Sequence, residues 1–330
     1  MSVLVTGGAG FIGSHMVWAL VDSGAKVVVL DNLVTGFEWA VAGAATFVRG
    51  DVGDGPLVER LIREHGVDAV IHFAGSVVVP DSVSDPLGYY LNNTAKARTL
   101  IESAVRGGVK AFIFSSTAAV YGMAGEKPVA ETATPAPMSP YGRSKLMTEM
   151  MLADTAAAHP LRYVALRYFN VAGADPKGRT GQSTKGATHL IKVASETATG
   201  KRPRMEIFGT DYPTRDGTCI RDYIHVTDLV EAHLAALAYL RGGGESLVAN
   251  CGYGRGYSVL EVVDSVRRVS GRPLEVVLSP RRPGDPAAVV AETALIGRKL
   301  GWRPRLDDLD TIVRHALAWE EALARRNARP

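Results

Sequence analysis

Cysteine is nearly absent: the 330 residues contain two, Cys219 and Cys251, far apart in the chain. That excludes a disulfide framework, and with no Cys/His cluster beside them it excludes a metal-ligand set too. Aromatic residues are sparse at 7%. No apolar run reaches the roughly 20 residues that a membrane-spanning helix needs. A net charge of +3, from scattered Lys and Arg, leaves no basic face for nucleic acid or an anionic membrane. The chain opens directly on "MSVLVTGG", without the charged and apolar regions of a signal peptide, so a cytoplasmic location is expected. Internal repeats and low-complexity tracts are also lacking. What remains is 46% hydrophobic and 22% charged, the profile of a globular protein with one large or two interlocked domains.

Short apolar runs alternate with helical patterns from the first residue. "VLVTG" (3–7), "KVVVLD" (26–31), "ATFVRGD" (45–51), "DAVIHFAG" (68–75), "KAFIFSS" (110–116) and "RYVALRYFN" (162–170) have the length and continuity of strands covered on both faces. Between them lie helical stretches closed by glycine, at Gly24 and at Gly107–Gly108. The expectation is an α/β fold with a doubly wound parallel (Rossmann) sheet over 1–170. After Asn170 the texture turns rich in Gly, Pro and Thr, with one helix at about 189–200. Residues 171–226 and 256–330, the latter read as mostly helical, are expected to form a smaller mixed α/β substrate lobe. Residues 227–255 are expected to return to the first domain.

Two local patterns carry chemistry. "TGGAGFIGS" follows the first strand and opens a helix, with glycines at Gly7, Gly8, Gly10 and Gly13. Such a loop lets backbone N–H groups approach a pyrophosphate at a helix N-terminus. Asp31, ending the next strand, suits an adenosine ribose 2′-OH and would repel a 2′-phosphate, which favours NAD over NADP. The second pattern is "SPYGRSK" (139–145), a helix entered through Ser139 and Pro140 that places Tyr141 and Lys145 on one face. A free tyrosine has a pKa of about 10, and bringing it near 7 takes about 4 kcal/mol, part of which a neighbouring cation in a dry site supplies.

With these in place, "SSTAAVYG" (115–122) and "YGRSK" (141–145) resemble the extended short-chain dehydrogenase/reductase family. The tracts "HFAG" (72–75), "YYLNN" (89–93), "LRYFN" (166–170), "IFGTDYPTRDGTCIRDYIHV" (207–226) and "PRRPGD" (280–285) extend that resemblance end to end toward its UDP-glucose 4-epimerases. The resemblance implies an NAD-dependent isomerase acting on a UDP-sugar, with Thr117, Tyr141 and Lys145 catalytic. Gly7, Gly10, Phe11, Ile12, Gly13, Asp31, Asn32, Asp51, Val52, Phe73, Ala74, Gly75, Asn93 and Phe169 would line the cofactor, together with Tyr141 and Lys145. Asn170, Phe208, Arg221 and Arg282, with His189 and Asp285, would hold the nucleotide sugar alongside Thr117 and Tyr141. It further implies a homodimer, paired through helices at about 87–106 and 141–158. Two departures stand out: Val77, where such enzymes often carry a lysine, and Val289, where they vary in bulk and which leaves N-acetylated sugars open.

A 4,6-dehydratase needs an acid/base pair after the catalytic threonine, and Ala118 and Ala119 stand there instead. UDP-pentose, UDP-N-acetylhexosamine and UDP-uronate 4-epimerases share the chemistry and stay open. A non-enzymatic NAD-binding regulator would have no need for the Thr, Tyr and Lys set.

Overall fold

Each early apolar run becomes a strand, and five of the six are largely buried; the exception is the run at 45–51, whose strand lies at the sheet edge and is partly exposed. In a computed structural model describing residues 1–123, 125, 127–282 and 284–327, these are β1 (Ser2–Thr6), β2 (Lys26–Asp31), β3 (Thr46–Arg49), β4 (Val67–His72), β5 (Ala111–Thr117) and β6 (Arg162–Tyr168). Lobe strands follow: β7 (Asn170–Ala172), β8 (Met205–Phe208) and β9 (Ile220–His225). After them come β10 (Leu247–Cys251), β11 (Gly256–Ser258), β12 (Val276–Ser279) and β13 (Ala288–Val289). Pro283 of the "PRRPGD" tract and positions 328–330 of the expected lobe lie outside the described residues.

The main sheet has seven strands in the order β10-β6-β5-β4-β1-β2-β3, all parallel. Alternation along each strand splits the core in two. Val3, Val5, Val27, Val29, Ile71 and Ile113 face the helices Phe11–Asp22 and Val226–Arg241. Leu4, Val28, Leu30, Val70, Phe112 and Phe114 face the opposite layer, where Leu61, Leu100 and Leu152 stand on the helices Gly55–His65, Lys96–Arg106 and Pro140–Ala158. The period-two alternation of a strand buried on both sides accounts for this division. The order reverses between β1 and β4, and at such a switch point an open α/β sheet leaves a crevice beyond its carboxyl ends.

Leaving β6, the chain enters β7 two residues later. There β9 is central, pairing with β7, β11 and β13, while β8 and β12 form a separate parallel pair. A third core built on Ile191, Ala194, Ile207, Tyr223, Val263 and Val313 holds these strands to the helices Leu190–Ala198, Val259–Ser270 and Leu309–Asn327. Among its described residues, the stretch expected to be mostly helical thus carries three helices (259–270, 294–300, 309–327) and three short strands. The helix expected at about 189–200 runs Leu190–Ala198, and β10 supplies an edge to the seven-stranded sheet.

Candidate active site

The loop after β1 owes its shape to glycine. Gly7 has φ +71°, and a Cβ there would lie 2.6 Å from the Ala74 amide nitrogen. A Cβ on Gly13 would come within 2.1 Å of the Gly7 carbonyl oxygen, so the helix starts this close to the strand only without a side chain. Gly10 caps the helix and offers its first-turn N–H groups no side-chain acceptor. A Cβ on Gly10 would meet only the Gly7 oxygen, at 3.3 Å, so the space before those donors is open. Unpaired helix N–H groups in a backbone cradle suit a pyrophosphate, and the residues fit the phosphates of a dinucleotide.

Asp31 is buried and accepts from the Ala9 amide (2.9 Å) and the Leu33 amide (2.8 Å). It braces the loop while each oxygen keeps a lone pair for a ribose hydroxyl. Beside it, Asp51 accepts from Lys96 Nζ (2.6 Å), the Gly53 amide (2.8 Å) and Asn32 Nδ2 (3.3 Å). Burial pushes the Asp51 carboxyl up, but those donors, Lys96 foremost, outweigh it and hold it below its ordinary range. Val52 is buried, Phe11 and Ile12 are half-buried at the helix start, and Phe73 packs on His233 with ring centroids 4.9 Å apart.

Ser139 caps the helix Pro140–Ala158, its Oγ accepting from the Gly142 amide at 3.2 Å, with Pro140 in the first turn. That cap fixes Tyr141 and Lys145 one turn apart against β5. A Cβ on Gly142 would lie 2.7 Å from the Ala119 oxygen. Tyr141 is 7% exposed and Lys145 3%. The Lys145 ammonium donates to the Ser115 carbonyl at 2.9 Å and stands 4.9 Å from the Phe114 ring centre. Burial brings Lys145 down to about 8, opposed by Glu149 one turn further on. From sequence, a phenolate held by its lysine and by the positive nicotinamide ring of bound NAD is expected. In the cofactor-free protein burial raises Tyr141, and the Thr117 hydroxyl beside it pulls it down. The physical reason is that the site is dry and the lysine's hydrogen bond goes to a backbone carbonyl.

Asn93 lies in a π-helical turn, Leu91–Ala95, that interrupts the helical run between Pro86 and Arg106. Its Oδ1 accepts from the Ser76 amide (2.7 Å), and its Nδ2 donates to the Ser76 carbonyl (2.9 Å) and to Ser144 Oγ (3.1 Å). A Cβ on Gly75 would be 3.0 Å from Asn93 Oδ1 and 3.7 Å from Lys145 Nζ, so Gly75, Asn93 and Lys145 converge.

The expected substrate residues fall into two groups. Arg282 lies over the Phe208 ring with Cζ 3.7 Å from its centre, and Arg221 Nη2 stands 3.5 Å from Asp285 Oδ1. One face of Phe208 is therefore covered by a guanidinium. Asn170 and His189 share a second place, a cavity of about 20 Å³ also lined by Tyr223 and Gln182. The two groups are joined by β9, which carries both Arg221 and Tyr223. Phe169 and Val289 pack on Ala118 and Val120, the residues that follow Thr117. Val77 is exposed.

Sequence reasoning missed Lys96, which clamps Asp51, and Glu149, which holds Arg167 beneath the helix of Tyr141 and Lys145. The spacing 141, 145, 149 repeats the four-residue step and was the available signal. Gln182, bonded to His189, lies in a stretch without periodicity and gave none.

This geometry has close counterparts. The UDP-glucose 4-epimerase of Azospirillum brasilense is 57% identical over 321 residues, 97% of this chain and 92% of that protein. UDP-glucose 4-epimerase from Brucella ovis in complex with NAD matches with a TM-score of 0.93 at 46% identity, covering 96% of this chain and 97% of that one. UDP-glucose 4-epimerase from Bifidobacterium longum in complex with NAD+ and UDP matches with a TM-score of 0.93 at 38% identity, covering 98% of each chain. The pattern of the NAD dependent epimerase/dehydratase family matches residues 3–252, from β1 through the closing strand of the sheet, and the chain belongs to that family.

Proposed function

We propose that the chain catalyses reversible epimerisation at C4 of a UDP-hexose, interconverting UDP-galactose and UDP-glucose with NAD retained between turnovers. The observation that carries it is the convergence of Gly75, Asn93 and buried Lys145 with Tyr141 and Thr117, at the carboxyl ends of the strands, where the glycine cradle also lies. Bound NAD would supply a hydride acceptor and donor for chemistry at C4 of the sugar. The chain's own residues do the rest. The Gly7–Gly13 loop and the helix N-terminus bind the pyrophosphate, with Asp31 on the adenosine ribose. Lys145 has three hydrogens, one engaged by Ser115, which leaves two for the ribose and the phenol side. Tyr141, directly or through the Thr117 hydroxyl, accepts the proton from the sugar 4-OH as hydride departs and returns it after the sugar turns over. Because burial raises this phenol, the reactive phenolate depends on the positive charges of Lys145 and the oxidised cofactor together. Phe208, Arg221, Arg282, Asp285, Asn170 and His189 hold the UDP tether.

Residues 1–170 with 227–255 form the cofactor domain in this reading, and 171–226 with 256–330 the nucleotide-sugar lobe. A homodimer and a cytoplasmic location belong to the same reading. Supporting the dimer, Leu87, Leu91 and Met150 are exposed on the helical run 86–106 and the helix Pro140–Ala158, an apolar face that a second copy would cover. A monomeric mass by light scattering refutes it. Among the described residues no helix is long and apolar enough to cross a membrane.

The deciding experiment incubates the purified protein, without added NAD, with UDP-galactose, UDP-N-acetylgalactosamine or UDP-xylose and resolves products by proton NMR. UDP-glucose should form from UDP-galactose, and Tyr141→Phe should abolish this while retaining NAD. No conversion even with NAD supplied, or substantial turnover by Tyr141→Phe, sinks the assignment or the role respectively.

A further inference from the structure

The stretch 180–183 is tied down at three points. Thr180 Oγ1 lies 2.8 Å from Ser14 Oγ, in the first turn of the helix that opens at the glycine loop. A Cβ on Gly181 would fall 2.3 Å from the Trp319 ring, and Ser183 Oγ accepts from Trp319 Nε1 at 3.3 Å. Between these anchors the buried Gln182 places its amide nitrogen 2.8 Å from His189 Nδ1. An amide NH₂ can only donate, so Nδ1 is the acceptor and the ring proton sits on Nε2. Among the described residues Nε2 has no hydrogen-bond partner, and the ring lines the cavity it shares with Asn170 and Tyr223. The surrounding chain desolvates the ring, its exposed edge notwithstanding, and lowers its pKa from the ordinary histidine value.

We propose that Gln182 is a positioning residue that fixes His189 as a neutral imidazole presenting Nε2–H to an anionic oxygen of the nucleotide sugar. This rests on the UDP-sugar reading of the site. The amide turned over would offer Oε1, move the ring proton to Nδ1 and aim a bare lone pair at an anion. The charged groups lining the same cavity, Lys192 and Glu320, pair with each other and with Glu196 and Lys201. Burial raises the phenol of Tyr223, the remaining titratable group there. Gln182 is left to set the tautomer.

The test uses the holoenzyme labelled with ¹⁵N-histidine. Long-range ¹H–¹⁵N spectra report the tautomer and pKa of His189, assigned by the signals that vanish in His189→Asn, and calorimetry with UDP reports Kd. The wild type should show Nε2–H. Gln182→Leu should mix the tautomers and weaken UDP by about fivefold, the equivalent of one modest hydrogen bond, with the loss in turnover assays falling on KM rather than kcat. Gln182→Glu keeps the size and accepts from Nδ1–H, so it should raise the pKa of His189. UDP affinity should then climb as pH falls through that new value, a dependence the wild type lacks. An Nδ1–H tautomer in the wild type, or a UDP Kd indifferent to both substitutions, overturns the proposal. A wild type that binds no UDP overturns the UDP-sugar reading and the proposal with it.

Discussion

Glu149→Met should cost the protein about 4 kcal/mol without leaving a large cavity. Glu149 (5% exposed) and Arg167 (6%) form a two-point pair, Arg167 Nε to Oε1 at 3.0 Å and Nη2 to Oε2 at 2.6 Å. Ser116 Oγ donates to the same carboxylate, and the guanidinium also lies over the Tyr121 ring at 4.9 Å. Methionine fills similar volume but strands a buried cation, and breaking such a pair from one side costs about 3–5 kcal/mol. Unfolding entropy of about 2.1 cal/mol/K per residue gives about 0.7 kcal/mol/K for a chain of this length, so Tm should fall by about 6 °C. Scanning calorimetry on the cofactor-stripped protein reads this directly. Adding Arg167→Met should recover most of the loss, because an apolar replacement of the whole pair is often neutral. A single-variant drop below about 1 kcal/mol, or a double variant less stable than Glu149→Met, would refute the reasoning.

Gly7→Ala should leave the purified protein with little bound NAD, read from its ultraviolet absorbance, because a Cβ would sit 2.6 Å from a backbone nitrogen that cannot swing aside. The left-handed φ adds about 1–2 kcal/mol of strain, and wild-type cofactor content would overturn this account of the loop. For Lys145, the unfolded chain keeps its proton to 10.5 and the folded protein only to about 8. Between these values the unfolded state binds more protons, so the cofactor-free protein should gain stability as pH rises through that window. Lys145→Met should remove the rise and stabilise the cofactor-free protein at pH 7 by up to about 3 kcal/mol while ending turnover. Urea midpoints at pH 7 that place the variant below the wild type would contradict this.

The sheet was legible because a strand covered on both faces must be apolar throughout, as "KVVVLD" and "KAFIFSS" are, and because glycine marks where the chain has to turn. The glycine cradle, Asp31 and the Tyr141–Lys145 step follow from local spacing alone. Strands such as β11 and β13, with three and two residues, carry no period to detect and exist through their pairing with β9. The π-helical turn at Asn93 depends on contacts to Ser76 and Ser144, the latter 51 positions away. The raised Tyr141 phenol of the cofactor-free site was not legible, because it depends on burial and on where the lysine's hydrogen bond goes, and Ser115 takes it from 30 positions upstream.

Strand β10 lends the chain a particular order of assembly. Six of the seven strands of the main sheet are in hand by Tyr168, but the last begins only at Leu247. On a growing chain, β6 therefore waits with an unpaired edge while the intervening segment emerges, and Tyr121 waits for the Asn250 side chain that accepts its hydroxyl at 2.6 Å. A fragment ending near residue 170 would keep the glycine loop and Lys145 yet offer that edge as a template for aggregation. Exchanging the lobe between relatives therefore takes three junctions, one near 170 and one on either side of 226–251, since a single cut near 170 also removes the strand that closes the sheet.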